Sequence, residues 1–138
     1  VNMNRLPISG EMYYVLSLGH FRENGIRLFY RNATQTTLRF DNSPFTHDIN
    51  LDLSASTWYH IVVTRNATTN QAIIYLNGNK IFTQSFTGSV DYGTNPNLYI
   101  GYWTGAPADW PIELNGKLDD VKIYKNALTD AQVVSLYT

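Results

Sequence analysis

Cysteine is absent from the 138 residues, which excludes disulfides and thiolate zinc sites and says nothing about compartment. Charge is scarce: 15% of the residues are Asp, Glu, Lys or Arg, against about a quarter in an average globular chain. The net charge of −1 creates no field that would gather nucleic acid or an anionic membrane surface. No run of about 18 apolar residues occurs, so no segment reads as a spanning helix, and no signal peptide is visible. A paired-carboxylate strand of the E-x-D-x-E kind, which a glycosidase would use, is missing. So is a G-x-S-x-G nucleophile turn. The three histidines, His20, His47 and His60, lie far apart with no metal-ligand spacing. Enzyme chemistry is therefore disfavoured. His60, beside Trp58 and Val62, reads as a satisfied structural histidine.

What is present is aromatic and hydrogen-bonding. Aromatics make up 14% of the chain, with ten tyrosines. Polarity comes from Asn, Thr and Ser rather than from charge. That balance suits short, half-buried strands joined by hydrogen-bonding loops. The length is that of one domain with a real core. Since the chain starts at Val1 rather than Met, it reads as a piece of something longer.

The organising stretch runs from Trp58 to Phe86. W-Y-H-I-V-V-T-R, Q-A-I-I-Y-L and N-K-I-F-T-Q-S-F are β-rich runs divided by turn residues, the pattern of an antiparallel meander. Asn77-Gly78 is the preferred pair of a type I′ hairpin, folding strand 71–76 onto strand 79–86. Trp58 opens the first of these strands and is expected in the core. Further strands are expected at 11–18, 26–31, 37–40, weakly at 49–53, at 98–102 and at 116–124. In 26–31, Ile26, Leu28 and Tyr30 share one face while Arg27, Phe29 and Arg31 share the other. Asn24-Gly25 is a second hairpin signal. Residues 41–57 are otherwise expected to be loop. One helix is convincing: Thr129 caps it, Gln132 completes the capping box, and Leu128 with Val133 forms a hydrophobic staple.

W-Y-H-I-V-V-T-R at 58–65, I-Y-L-N-G at 74–78, L-Y-I-G at 98–101 and N-G-K-L-D-D-V-K-I-Y-K-N-A-L-T-D-A-Q at 115–132 resemble the laminin-G-like, concanavalin-A-like lectin domain family. The likeness is to its pentraxin-related bacterial and viral branch and covers about residues 50–138. The resemblance implies an all-β antiparallel jelly-roll sandwich with one short C-terminal helix, formed by residues 1–138 as a single domain. It implies binding or adhesion rather than catalysis. In the family, strands precede the equivalent of Val1, and Val1-Asn2-Met3 resembles the tail of one. Their loss would leave the edge at 116–124 open for another protein chain or for the missing N-terminal segment.

Two sets of residues are candidates for chemistry. Asp119 and Asp120, adjacent on an expected strand, point to opposite faces and cannot act as a catalytic pair. The resemblance implies an acid here that helps to hold calcium or hydrogen-bonds a neighbouring loop; calcium wants six to eight oxygens, for which Asn115, Asp91, Asp109 and Asn95 are further candidate donors. The alternative is a buried Asp120 that locks the last strand by accepting from backbone amides. The second candidate is the Pro-stiffened loop Tyr102–Pro111, in which Tyr102, Trp103 and Trp110 would stack on a sugar while Asp109 takes its hydroxyls. The alternative is that these rings fold back over the core. On the first alternative, Trp103→Ala or Trp110→Ala abolishes glycan binding with little change in melting temperature. The functional expectation is a non-catalytic carbohydrate-binding or adhesion module, with a glycan or glycoprotein partner, at an extracellular, cell-surface or virion-surface location. The alternative is a structural or protein-interaction domain that assembles through its open edge.

Overall fold

The structure is a computed structural model that describes residues 1–18, 26–32, 36–42, 45–87, 96–103 and 113–138. Asn24-Gly25, Asp91, Asn95, Asp109 and Trp110 lie outside the described residues. The chain divides into two compact units. One comprises Asn2–Thr57 with Val90–Leu118, the other Val1 with Trp58–Ser89 and Asp119–Thr138.

In the first unit, β1 (Asn2–Met3), β2 (Met12–Leu18), β3 (Ile26–Asn32), β4 (Thr36–Asn42) and β5 (Phe45–Asn50) are joined by β9 (Leu98–Ile100) and β10 (Gly116–Lys117). Five of these make an antiparallel sheet in the order β5-β4-β3-β2-β9, and β1 pairs with β10. Period-2 alternation divides the sheet into two faces. One carries Tyr13, Tyr30 and Leu38 as cross-strand partners, with Leu16, Leu28 and Phe40 alongside. Tyr13, Leu28, Tyr30, Leu38 and Phe40 on this face are buried.

The β4–β5 hairpin is a departure from the expected short strand and long loop. The two strands pair without a slip from Thr37↔Asn50 to Asn42↔Phe45. The sequence signal is weak here because F-T-H-D-I-N has little apolar alternation. The edge strand is held by its ladder with β4 and by an Arg39–Asp48 fork, Nε to Oδ1 at 2.7 Å and Nη2 to Oδ2 at 2.6 Å.

Before β2, Glu11 ties the loop together. It accepts from Arg5 at 2.6 and 2.5 Å, from the Ile8 N–H at 3.0 Å and from the Tyr13 hydroxyl at 2.9 Å. Arg5 is the main reason that its carboxyl titrates at about 2 rather than 4.5. A folded-state pKa below the unfolded one gives stability that is present above pH 4.5 and is lost as the pH falls through about 2. Solvent screening keeps the effect small. Glu11→Gln should therefore flatten acid denaturation in that window. A pH series of thermal melts with identical slopes for wild type and variant would show that the fork does not form.

In the second unit, β6 (Ile61–Asn66), β7 (Gln71–Leu76) and β8 (Asn79–Ser85) form the expected meander, in the order β6-β7-β8. Asn77 and Gly78 both take positive φ, 50° and 76°, as a type I′ turn requires. The helix α1 (Asp130–Tyr137) has both halves of its capping box. Thr129 Oγ1 accepts from the Gln132 N–H at 3.3 Å, and Gln132 Oε1 accepts from the Thr129 N–H at 2.8 Å. Val133 is fully buried, and Asp130 accepts from the Tyr75 hydroxyl at 2.6 Å and from Lys80 at 2.8 Å.

Three expectations need correction. Trp58 is 51% exposed rather than in the core, because β6 begins only at Ile61 and the tryptophan precedes it. The last strand stops at Lys117 instead of Tyr124. Asp120 takes φ 49°, a left-handed conformation that ends an extended run, and its N–H is captured by Asp119 Oδ1 at 2.8 Å in competition with ladder bonding. His60 is not fully satisfied: its Nδ1 is buried with no hydrogen-bond partner among the described residues. Its ring packs on Tyr137 at 5.9 Å, and burial first, then the N-terminal ammonium and Lys122, hold its pKa below the ordinary value.

Candidate functional site

The second face of the five-stranded sheet is built differently from the apolar one. Register aligns three rows of side chains across it. Tyr14, Phe29, Arg39 and Asp48 form one, while Ser17, Arg27, Asp41 and Thr46 form the next. Met12, Arg31, Thr37 and Asn50 form the third. Tyr14 and Ser17 are three residues apart and would point to opposite faces of a regular strand. A bulge between Tyr14 and Leu16 adds one residue to β2 and turns both onto the same face.

After β9 the chain reverses at Gly101 (φ 72°), whose N–H donates to the Val15 carbonyl at 3.0 Å. The Ser17 hydroxyl donates to the Tyr102 carbonyl at 3.1 Å. These bonds lay Trp103 on Tyr14, with ring centroids 5.2 Å apart, and Tyr14 stacks on Phe29 at 4.5 Å. Arg27 lies over Trp103 at 5.4 Å and Arg39 over Phe29 at 6.0 Å. The result is a ladder, Arg27–Trp103–Tyr14–Phe29–Arg39, with a cation on the π-face at each end. Burial first of all pushes the Tyr14 phenol up to about 12.

Each arginine of the ladder is held by a carboxylate. Arg27 Nη2 lies 2.7 Å from Asp41 Oδ2, and Arg39 forks onto Asp48. The hydrogen bonds that Arg39 donates to Asp48 are the leading cause that lowers the Asp48 pKa and raises the Arg39 pKa. Along the β5 margin, Thr46, Asp48 and Asn50 are exposed. The face therefore carries fixed donors and acceptors on strands rather than on loops, where geometry is held more closely.

The sequence candidates are distributed unevenly. Tyr102 is 39% exposed and meets Tyr99 edge-on at 6.1 Å. Trp103 is 3% exposed, so the ring expected as an open platform is instead packed on Tyr14. Asp109 and Trp110 lie outside the described residues. Sequence reasoning missed Tyr14, Asp41 and Asp48. The alternation in 26–31 did reveal Arg27, Phe29 and Arg31 as one face, but the bulge that brings Ser17 and Tyr14 to it has no such signal.

The calcium expectation concerned Asp119, Asp120 and Asn115. Asp119 Oδ1 already accepts from the Asp120 N–H. The Asp120 side chain is 85% exposed and lies 3.7 Å from Lys122, so it neither locks a strand nor stands free of a cation. Asn115 Oδ1 accepts from Asn4 Nδ2 at 3.0 Å. Asp91, Asn95 and Asp109, the remaining donors of that expectation, lie outside the described residues. Among the described residues, no group of three or more His, Asp or Glu could hold a metal. No helix among them is long and apolar enough to cross a membrane.

A family model described as the concanavalin A-like lectin/glucanases superfamily matches residues 1–134. No curated protein matches by sequence. Among solved structures, a native heptameric pentraxin of the SAP-like kind from Limulus polyphemus superposes with a TM-score of 0.74 at 18% identity. It covers 96% of this chain, which spans 66% of the pentraxin, just under two thirds. The CBM40 of the Ruminococcus gnavus IT-sialidase, bound to α2,3-sialyllactose, gives 0.74 at 15% identity, over 97% of this chain and 78% of that one. An S-layer domain-containing protein from Clostridium thermocellum gives 0.51 at 16% identity, over 94% of this chain and 64% of that one. At these identities the likeness is one of fold.

Proposed function

The chain belongs to the concanavalin A-like lectin/glucanase superfamily, whose fold is the antiparallel jelly-roll β-sandwich, and we propose that within it this chain is a non-catalytic carbohydrate-binding module that acts outside the cell. The observation that carries the reading is the ladder of Arg27, Trp103, Tyr14, Phe29 and Arg39 beside the exposed Asp48, Thr46 and Asn50. A sugar presents hydroxyls that both donate and accept, and this face offers carboxylates and amides to receive them and guanidinium groups to supply them. The rings themselves are buried, Tyr14 at 1%, Phe29 at 2% and Trp103 at 3%, so they hold the two arginines in place and leave the sugar to the polar groups along the β5 margin. The carbohydrate-binding neighbour on the same fold supports the class of ligand and not its identity. Of the described aromatics of the loop, Tyr102 is exposed and can meet a sugar, while Trp103 supports the face from within.

A glycan array run with calcium and again with chelator tests the reading. Retention in both arms would mean that direct contacts from the polar groups of this face carry the binding. Loss on chelation would make calcium part of the site. Silence in both arms, from a sample shown to be folded, would sink the carbohydrate reading.

A second reading has its own observation. Val121, Ile123 and Tyr124 are 46%, 68% and 45% exposed, and residues 118–124 lie in no strand although they alternate like one. Such a segment can accept an extended strand from another polypeptide segment. Light scattering that shows concentration-dependent assembly, together with a silent array, would favour this interaction module.

A further inference from the structure

Asp41 is the described carboxylate with the least exposed side chain, at 7%. Only one of its oxygens is accounted for: Oδ2 meets Arg27 Nη2, whereas Oδ1 is buried and has no hydrogen-bond partner among the described residues. Buried acceptors are almost always satisfied by protein, water or ligand, and a charged one left empty is costly. Ser17, two strands away in the same row beyond Arg27, donates its hydroxyl to the Tyr102 carbonyl instead. Thr46, the cross-strand partner of Asp41, is exposed, so the carboxylate sits one strand from the open margin of the face.

The chemistry of this oxygen narrows what it would take. It accepts and does not donate while ionised, so the group it receives must bring a hydrogen or a positive charge. A metal cation is opposed by the Arg27 guanidinium 2.7 Å from the other oxygen, and a carboxylate or phosphate would meet like charge. A neutral hydroxyl fits both conditions. We propose that Asp41 Oδ1 is the receptor for one free hydroxyl of the bound sugar, so that the module selects glycans unsubstituted at that position. Arg27 acts as the positioning residue that fixes the carboxylate. This inference rests on the carbohydrate reading above.

The test takes the glycan best retained by the wild-type chain and compares it with its single-deoxy analogues, on wild type and on Asp41→Asn. One deoxy position should cost wild type about tenfold to a hundredfold in affinity, the range of a hydrogen bond to a charged group. Asp41→Asn should lose a comparable factor for the parent glycan and be nearly blind to that same deoxygenation. A variant that binds the parent as well as wild type does would overturn the proposal and leave Oδ1 to a structural water. If Asp41→Asn fails to fold, the wild-type series decides alone: every deoxy analogue bound within about threefold of the parent would overturn it. A wild type that binds no glycan at all refutes the carbohydrate reading, and this inference falls with it.

Discussion

Trp103→Ala should lower the melting temperature by about 6–20 °C, in contrast to the near-zero change expected of an exposed sugar platform. A buried Trp reduced to Ala costs about 3–5 kcal/mol, and each kcal/mol is worth about 2–4 °C for a domain near this size. Three separate losses make up the effect. The indole leaves a cavity against Tyr14, the stack loses its end ring, and Arg27 loses the π-face beneath it. With Arg27 freed to move, Asp41 loses its fixed partner, so glycan binding should fall as well. Trp103→Phe separates the two effects, since a smaller ring keeps the stack while shrinking the cavity. It should recover more than half of the lost melting temperature in circular-dichroism melts. A Trp103→Ala protein melting within about 3 °C of wild type would show that the ring is not part of the packed face.

The difference between the two outcomes for Trp103 shows where the sequence was readable. Its apolar and aromatic residues were legible wherever they followed a period. The meander at β6-β7-β8, its Asn77-Gly78 turn and the Thr129–Gln132 capping box all follow from local chemistry, and the structure contains each of them. Arg27, Phe29 and Arg31 were legible as one face for the same reason. The rest depended on events that leave no periodic trace. The bulge near Val15 changes the parity of β2, and a single inserted residue decides whether Ser17 and Tyr14 share a face with Arg27. The edge strand β5 is polar enough to pass for loop and exists because β4 offers it a ladder and Arg39 offers Asp48 a fork. The turn at Gly101 decides whether Trp103 stands in solvent or lies on Tyr14, and a tripeptide Y-W-T carries no sign of which.

The same limit explains the acidic pair. Asp119-Asp120 sits inside a run, L-D-D-V-K-I-Y, that alternates as a strand should. Alternation describes what a segment can do when a partner strand is present; it does not supply the partner. Without one in the described residues, Asp119 turns its side chain onto the next N–H, Asp120 adopts a left-handed φ, and the ladder ends two residues in. Both carboxylates are exposed. The opposite-face placement read from them on a strand belongs to a conformation they do not hold here.

Among the described glycines, Gly116→Ala should be the most damaging change, with a loss of about 3 kcal/mol or more. Gly116 faces Met3 across the β1–β10 ladder. A Cβ there would overlap the Asn2 carbonyl oxygen and lie 2.9 Å from Met3 Cα and 3.1 Å from the Asn2 carbonyl carbon. All three are backbone atoms, so no side chain can swing aside to relieve the clash. Relief requires β1 to move away from β10. That movement strains the Asn4 N–H bond to the Asn115 carbonyl at 2.9 Å and the Ser56 N–H bond to the Met3 carbonyl at 2.6 Å. It also uncovers Met3, now 1% exposed. Gly10→Ala is the matched control. Gly10 has φ 87° but nothing within 4 Å of an added Cβ, so its cost is the left-handed backbone alone, about 1–2 kcal/mol. Amide exchange at Asn4 and Ser56 should accelerate in Gly116→Ala and stay unchanged in Gly10→Ala. Equal melting temperatures for the two variants, with both amides still protected, would mean that β1 does not lie against Gly116 as the close approach requires.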